Sequence, residues 1–548
     1  MKKYILFLSS CAIAGIAGFS SCTKSDFADA YAQPSTLNQT TLEKQFAGVL
    51  TANLDYTMYR YTNYFVTLQN TCLPWTQAVG VINTNGRYVP GAAAISGRWQ
   101  NYYTFVAQYK DFLNIYNNLS PADQSAKKIY LIAATIFYDD MTQKQVDLHG
   151  DIPWSKAGLL STNKGDYNAS YAKYDPADSI YTTMLDQLKG YADDLSTMSI
   201  DPTVATVLKS QDFINNGDVS LWAKYCNSLR LRMLMRVSAV PAFKARVNQE
   251  IAAILASPSK YPLILTNDDN ALIRVYNLNS VTVGGNTISG INNGSSTGQN
   301  ASFYTGLYGW GGGDVPSKAM IDLMNSSSDP RLRVMFQPGD STNGKYVGLD
   351  PTLNQTVQEN LYNSAKVSRY NYSTLTYNLN IPGILIDAAE VNFLLSEYYL
   401  DQGNAGQAKA TYETGIRQSI AFYYNLRAIS SDNTEGAVKA PTGQEINDYL
   451  AKGNISWDAQ TTQKGKLNLI ATQKWINYSV LEPIESWSEQ RRLKLPELTF
   501  LPDNSNSLQK LPPNRWTYPT NESSFNTANY NAVKAKDNLT TKIFWDVN

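Results

Sequence analysis

The sequence predicts a mostly α-helical protein in which helix pairs form one large body that carries long irregular loops. Three observations predict it. Apolar residues recur at helical spacing in several separated blocks. One block reads as helix, short glycine-containing turn, helix. Between the blocks lie Gly-, Asn- and Ser-rich stretches that still carry large aromatic rings, which suits built loops better than linkers.

The chain opens with Lys2 and Lys3, an apolar run from Tyr4 to Phe19, and then Ser20, Ser21 and Cys22. This order is that of a secretory signal. The apolar run is too short to span a bilayer as a stable helix. A cysteine directly after two small residues can accept a diacylglycerol on its thiol and an acyl chain on its freed amine. Several chains buried together anchor firmly where one does not. Residues 1–21 are therefore expected to be a lipoprotein signal, Cys22 the lipidated residue and 22–40 a polar tether. The folded domain is expected over 41–548. Cys11 lies in the apolar run and is expected to leave with the signal.

Within KKIYLIAATIFYDDM, Ile129, Ile132, Ala133, Ile136 and Phe137 form one helical stripe. Ser120 and Pro121 precede it as a cap and an early-turn proline. A helix over about 100–118 presents Tyr102, Phe105, Val106, Tyr109 and Phe112, and the two should form a helical hairpin. In VSLWAKYCNSLRLRMLMRVS, Trp222, Cys226, Leu229, Met233 and Val237 line one face. Arg230 and Arg232 flank that face, and Arg236 is placed to reach carboxylates on a neighbouring helix. The clearest pair is AAEVNFLLSEYYL, the turn DQGN, and AGQAKATYETGIRQSIAFYY. Ala408 and Ala410 permit close approach, and Tyr412, Ile416 and Ile420 continue a core stripe. A helix–turn–helix of this length is the unit of tetratricopeptide stacks. The irregular segments are 73–99, 276–316, 340–380 and 501–530.

Composition narrows the function. Lys plus Arg and Asp plus Glu both number 46, so no basic excess exists to neutralise a nucleic-acid backbone. No second membrane-spanning run appears. Cys72 and Cys226 remain as one disulfide or two buried thiols. One histidine and two thiols lack the usual ligand set of a structural zinc site. That histidine, His149, sits beside Gly150 and reads as a turn or packing residue. No phosphate loop, dinucleotide fingerprint or helix-loop-helix calcium loop is present, and no cofactor is expected.

Carboxylate chemistry is the enzymatic rival. Glu390 and Glu397 share a predicted helix face, and Glu482, Glu485 and Glu489 crowd another region near Arg491 and Arg492. Paired carboxylates facing each other across a groove hydrolyse glycosides. Positions seven apart on one helix are instead about 10.5 Å apart along its axis and point the same way. Ion pairs that hold helices together are the simpler reading.

Binding without chemistry fits better. Sugar rings offer apolar C–H faces that Trp and Tyr can cover, and Asn, Asp and Arg can pair with the hydroxyls. Trp75, Asn85, Arg87 and Tyr88 offer such a mixture on one loop, and Tyr304, Tyr308, Trp310 and Asp314 on another. The same rings would serve a peptide, or could pin their loops to the scaffold.

Taken in order, the pieces resemble the SusD/RagB family of outer-membrane nutrient-binding lipoproteins of Bacteroidetes, in its SusD-like branch. They are SSC at the lipid-signal end, HGDIPWSKAG at 149–158, YDPADSIYTTMLDQL at 174–188 and LWAKYCNSLRLRMLMRVS at 221–238. DPRLRVMF at 329–336, AAEVNFLLSEYYLDQGNAGQAKATYETGIRQSI at 388–420 and QKWINYSVLEPIESWSEQRRLKLPEL at 473–498 follow. PNRWTYP at 513–519 and SFNTANYNAV at 524–533 close the series. The family's usual tyrosine before the glycine of GDIP is His149 here. The resemblance implies four tetratricopeptide-type helix pairs on one side and variable ligand-shaping loops on the other. It also implies a surface-exposed protein, lipid-anchored through Cys22, that acts as a lid on a SusC-like TonB-dependent transporter. It would capture an oligomeric nutrient, a glycan or a peptide, without being an enzyme. An all-helical glycoside hydrolase is the alternative.

Overall fold

Helix caps and burial follow from the sequence blocks in turn. The computed structural model describes residues 40–274 apart from 60 and 81, Leu307, the short strands Thr282–Val283 and Asn286–Thr287, and 315–548. The signal, Cys22 and the tether lie outside these residues.

The first helices are α1 (Leu42–Ala52), α2 (Ala92–Asn117) and α3 (Lys128–His149). Helix α2 packs on both α1 and α3, so the expected hairpin forms, with α1 as a further partner of α2. Ser120 accepts a hydrogen bond from the Asp123 amide, capping a separate short helix, Pro121–Ala126, one turn before α3. The stripe read on α3 understates its burial. From Ile129 to His149 the helix is buried on nearly every side, including Asp139, Asp140, Gln143, Lys144 and Asp147. A helix enclosed by neighbours on all sides shows no single apolar face.

Next come α4 (Ala177–Thr197), α5 (Val219–Arg236) and α6 (Lys244–Ala256). Asp218 caps α5 by accepting from the Ser220 and Leu221 amides. Helix α5 packs on α3, α4 and α6. Trp222, Cys226, Leu229, Met233 and Val237 are all buried, as the spacing predicted. Cys72 and Cys226 are both buried free thiols, so no disulfide joins them.

The clearest predicted pair is present as α7 (Ala388–Asp401) and α8 (Ala405–Ala428), joined through Gly403 at φ 72°. Asp387 and Asn404 cap the two helices. Their close approach is made by Gly415, where an added Cβ would lie 2.6 Å from the Phe393 ring. Ala408 is buried as expected, but Ala410 is exposed and takes no part in that approach. Helix α9 (Gln463–Tyr478) packs on α7, and α10 (Pro483–Leu493) packs on α9 and α3. The fold is therefore mostly α, with helix pairs of tetratricopeptide type; the described strands form only two-stranded antiparallel ladders.

Two large cores divide the labour. One lies among α1–α7. The second lies under the irregular segments and contains Trp75, Tyr88, Phe336, Tyr370, Trp487 and Trp516. Loops of this length need their own buried apolar surface to be held in one arrangement.

Candidate functional site: the loop face

The irregular segments, distant in sequence, meet on one face. Val79–Gly80 pairs antiparallel with Val315–Pro316, Gly80 opposite Val315. The first loop is thereby tied to the chain that directly follows Asp314. Segment 340–350 joins them, since Leu349 donates its amide to Pro316 O and accepts from the Lys318 amide, each at 2.9 Å. At Gly80 an added Cβ would sit 2.8 Å from the Leu349 Cβ, so only glycine allows the three strands to touch without displacement.

Asn83 extends the junction by donating to Pro351 O (2.8 Å) and Leu353 O (2.7 Å). Segment 499–503 closes it. Arg87 Nη2 and the Tyr88 hydroxyl both donate to Leu501 O, at 2.8 and 2.9 Å. The Gly86 amide donates to Asp503 Oδ2 at 2.7 Å, and Arg87 lies 3.8 Å from the same carboxylate. Hydrogen bonding to Ser505, with the Gly86 amide and Arg87, holds the Asp503 carboxyl below its ordinary range despite partial burial.

These contacts correct two of the expected ligand rings. Trp75 is fully buried, its centroid 5.2 Å from that of Trp487 and 6.5 Å from that of Trp516, and its indole N–H donates to Arg87 O at 3.0 Å. Tyr88 is 4% exposed, with its hydroxyl spent on Leu501. Both rings pin the loop to the scaffold rather than displaying a face, because with Leu73, Ala78 and Val79 they fill the second core. Arg87 is largely committed to backbone carbonyls, and Asn85 is exposed beside Gly86 at φ 78°. Tyr304, Tyr308, Trp310 and Asp314 lie outside the described residues.

The sequence reading missed Phe500. It is half-buried, T-shaped against Tyr88 at 6.2 Å, and separates two concavities. The smaller is bounded by Pro74, Asn83, Arg87, Tyr88 and Pro351. The larger, an open groove of about 330 Å³, lies over Trp487 and is lined by Lys494, Glu497, Leu498, Leu511 and Pro512. An aromatic ring and apolar side chains flanked by a cation and a carboxylate suit a ligand with apolar faces and polar edges. The signal available in sequence was LTFLPDN, an aromatic in a proline-flanked extended stretch.

The carboxylates singled out as a possible catalytic group lie elsewhere, inside the helical body. Arg236 pairs with Glu485, with Glu489 (2.8 Å) and with Asp147 (3.2 Å). Arg492 and Lys474 bridge Glu397 and Glu489 at 2.6–2.8 Å. Burial opposes the Glu489 charge, yet Arg492, Lys474 and Arg236 outweigh it and hold its carboxyl well below the usual range. Glu482 differs. Neither of its oxygens has a hydrogen-bond partner in the described structure, and burial, then Glu390 and Asp387, push its carboxyl well up. The cavity beside it has room for a few waters, not a sugar ring. His149 is wholly buried against Trp99, Trp516 and Tyr518, and burial, then Arg515, hold it neutral. Among the described residues no group of three or more His, Cys, Asp or Glu could hold a metal, and no helix is long and apolar enough to cross a membrane.

The structure thus combines a helical scaffold with a loop-built face, and Glu390, Glu397, Glu482, Glu485 and Glu489 lie buried in its interior. Residues 34–519 match the SusD-like family described as starch-binding and associating with the outer membrane, and the chain belongs to that family. Several solved structures share the fold. A chitin-binding protein superposes with a TM-score of 0.69 at 23% identity, over 93% of this chain and 100% of its own. A SusD homologue from Bacteroides fragilis gives 0.69 at 20% identity, over 92% and 100%. A chitin-binding SusD homologue from Flavobacterium johnsoniae gives 0.66 at 22% identity, over 92% and 99%. No match is found among the curated proteins.

Proposed function

We propose that this protein captures an oligomeric glycan at the bacterial surface and passes it to a SusC-like TonB-dependent outer-membrane transporter. The observation that carries this reading is the convergence of four irregular segments on one face, where Phe500 stands between two concavities while the flagged carboxylates are confined to the interior. Membership of a family described as starch-binding, and two chitin-binding proteins of the same fold, favour a glycan over a peptide. The ligand surface comprises Phe500, Lys494, Glu497 and Asn85, together with Tyr304, Tyr308, Trp310 and Asp314 from the loop that returns to the face at Val315. Trp75, Arg87 and Tyr88 act behind it as supports. Cys22 carries the lipid that holds the protein to the outer membrane. Binding shifts a lid between open and closed arrangements over the transporter by no more than the ligand's differential affinity for the two.

Titration calorimetry with starch and chitin oligosaccharides, and a peptide pool as control, tests the reading. Saturable glycan binding without product formation is expected. Release of shorter sugars, abolished by Glu485→Gln, would establish hydrolysis instead; saturable binding of peptides alone would replace the glycan.

A further inference from the structure

A further cavity, of about 300 Å³, opens where the end of α5, the start of α6 and the end of α7 meet. None of the residues lining it belongs to the irregular segments that build the loop face. Its inner wall is apolar, made of Met235, Val247 and the Tyr398 ring, all buried. Exposed Lys244, Asn248, Asp401 and Gln402 stand at its rim.

The polar groups here have bonding capacity to spare. Tyr398 is only 7% exposed, yet its hydroxyl has no hydrogen-bond partner among the described residues. A buried tyrosine ordinarily finds one. Gln402 Nε2 donates to Asn248 Oδ1 at 3.4 Å, and Asp401 Oδ1 accepts from Gln463 Nε2 at the same distance. Both bonds are long and weak, so a ligand's groups can replace them at little cost. Lys244 and Asp401 line the same cavity without pairing with each other, and neither makes an ion pair among the described residues.

This chemistry selects a class of ligand. An anion drawn to Lys244 would be repelled by Asp401, and a cation drawn to Asp401 would be repelled by Lys244, so the balance favours a neutral molecule. A carboxylate, two side-chain amides, a phenol and an ammonium group offer donors and acceptors in alternation, as a polyol requires. The Tyr398 ring with Met235 and Val247 offers a surface for C–H groups. The volume lies at the small end of ligand sites, about 300–1,000 Å³, and suits one ring rather than a chain of them. We propose that the cavity beside Tyr398 is a second sugar site, taking one neutral sugar residue apart from the loop face. The choice of a sugar among neutral polyols rests on the glycan reading. A polymer long enough to reach both sites would be retained better than by either alone.

The test is amine labelling of the full-length protein, read by mass spectrometry, during titration with the methyl glycosides of glucose, galactose, mannose and N-acetylglucosamine. Labelling of Lys244 should slow saturably with at least one of them, while exposed Lys164 and Lys173 stay unchanged. Tyr398→Phe keeps the ring and should weaken that protection by about five-fold, the worth of one neutral hydrogen bond. Asp401→Asn should weaken it too, with the circular dichroism of both variants unaltered. Glucuronic acid and glucosamine should protect less than the neutral glycosides. No saturable protection of Lys244 by any glycoside would overturn the proposal, as would protection indifferent to Tyr398→Phe or stronger with a charged sugar. Phe500→Ala should leave the Lys244 protection intact, and its loss in that variant would assign the effect to the loop face and overturn the second site. Oligosaccharide binding by calorimetry reports the loop face separately. Lys244 protection without Phe500-dependent binding refutes the loop-face reading alone, and the reverse refutes this site alone.

Discussion

The Arg232 guanidinium grips both oxygens of Glu390 at 2.6 Å each, joining α5 to α7 across 158 residues of chain. Both side chains are about 1% exposed. Arg232 also reaches Asp140 on α3 at 3.1 Å, so one cation ties three helices. Breaking such a pair strands a charge without water. Glu390→Gln or Arg232→Met should cost about 3–5 kcal/mol in urea unfolding, and the double change to apolar residues of similar volume should cost less than either alone.

Glu482 and Glu489 lie seven residues apart and should respond oppositely to neutralisation. Glu489 is ionised in the fold well below the unfolded carboxyl range. Its contribution is therefore present above about pH 4.5 and lost as pH falls through the folded value. The Glu482 carboxyl is raised, so its contribution is present at low pH and lost as pH rises through the folded value. Glu482→Gln should leave stability at neutral pH intact or higher and flatten its decline on the alkaline side. Glu489→Gln should destabilise at neutral pH. Thermal unfolding across pH separates the two.

Trp75 and Phe500 lie on either side of the line between support and surface. Trp75→Ala should cost about 3–5 kcal/mol of stability through the cavity left against Trp487 and Trp516. Phe500→Ala should leave the fold nearly as stable and weaken oligosaccharide binding by up to about ten-fold, the worth of one stacked ring. Chemical denaturation and calorimetry on the same preparations check both; unaltered binding by Phe500→Ala would remove that ring from the site.

Gly80→Ala probes whether the junction of loops matters to binding. The added methyl meets the Leu349 side chain and backbone and must push Val79–Gly80 away from Val315–Pro316. A loss of about 1–3 kcal/mol is expected from overpacking, with weaker ligand binding because the loop bases separate.

Cys72 and Cys226 should resist alkylation in the native protein and react fully in urea. Burial pushes the Cys72 thiol up to about 12 and raises Cys226 as well, so neither offers a thiolate at neutral pH. Mass analysis after iodoacetamide treatment reads this directly.

Helix identity was legible because periodic apolar spacing is a local property. The stripes at Ile129–Phe137, at Trp222–Val237 and along the α7–α8 pair all appear where the spacing put them. The near-total burial of α3 was not legible, because its enclosure comes from helices far away in sequence. The loop face was legible only in outline. Irregular, ring-bearing segments can be named from the sequence, but not which rings turn inward: Trp75 fills the second core, while Phe500 stays half-buried beside the groove.

The order of amino acids by itself determined the main helices, the ion-pairing role open to Arg236, and the resemblance that placed the chain in its family. Only the tertiary structure decided which carboxylates are locked away, which loops touch and which aromatics reach water. The reason is that helix formation answers to residues three and four apart, whereas burial and pairing answer to neighbours hundreds of positions distant. Those neighbours are fixed only when the long-range contacts close.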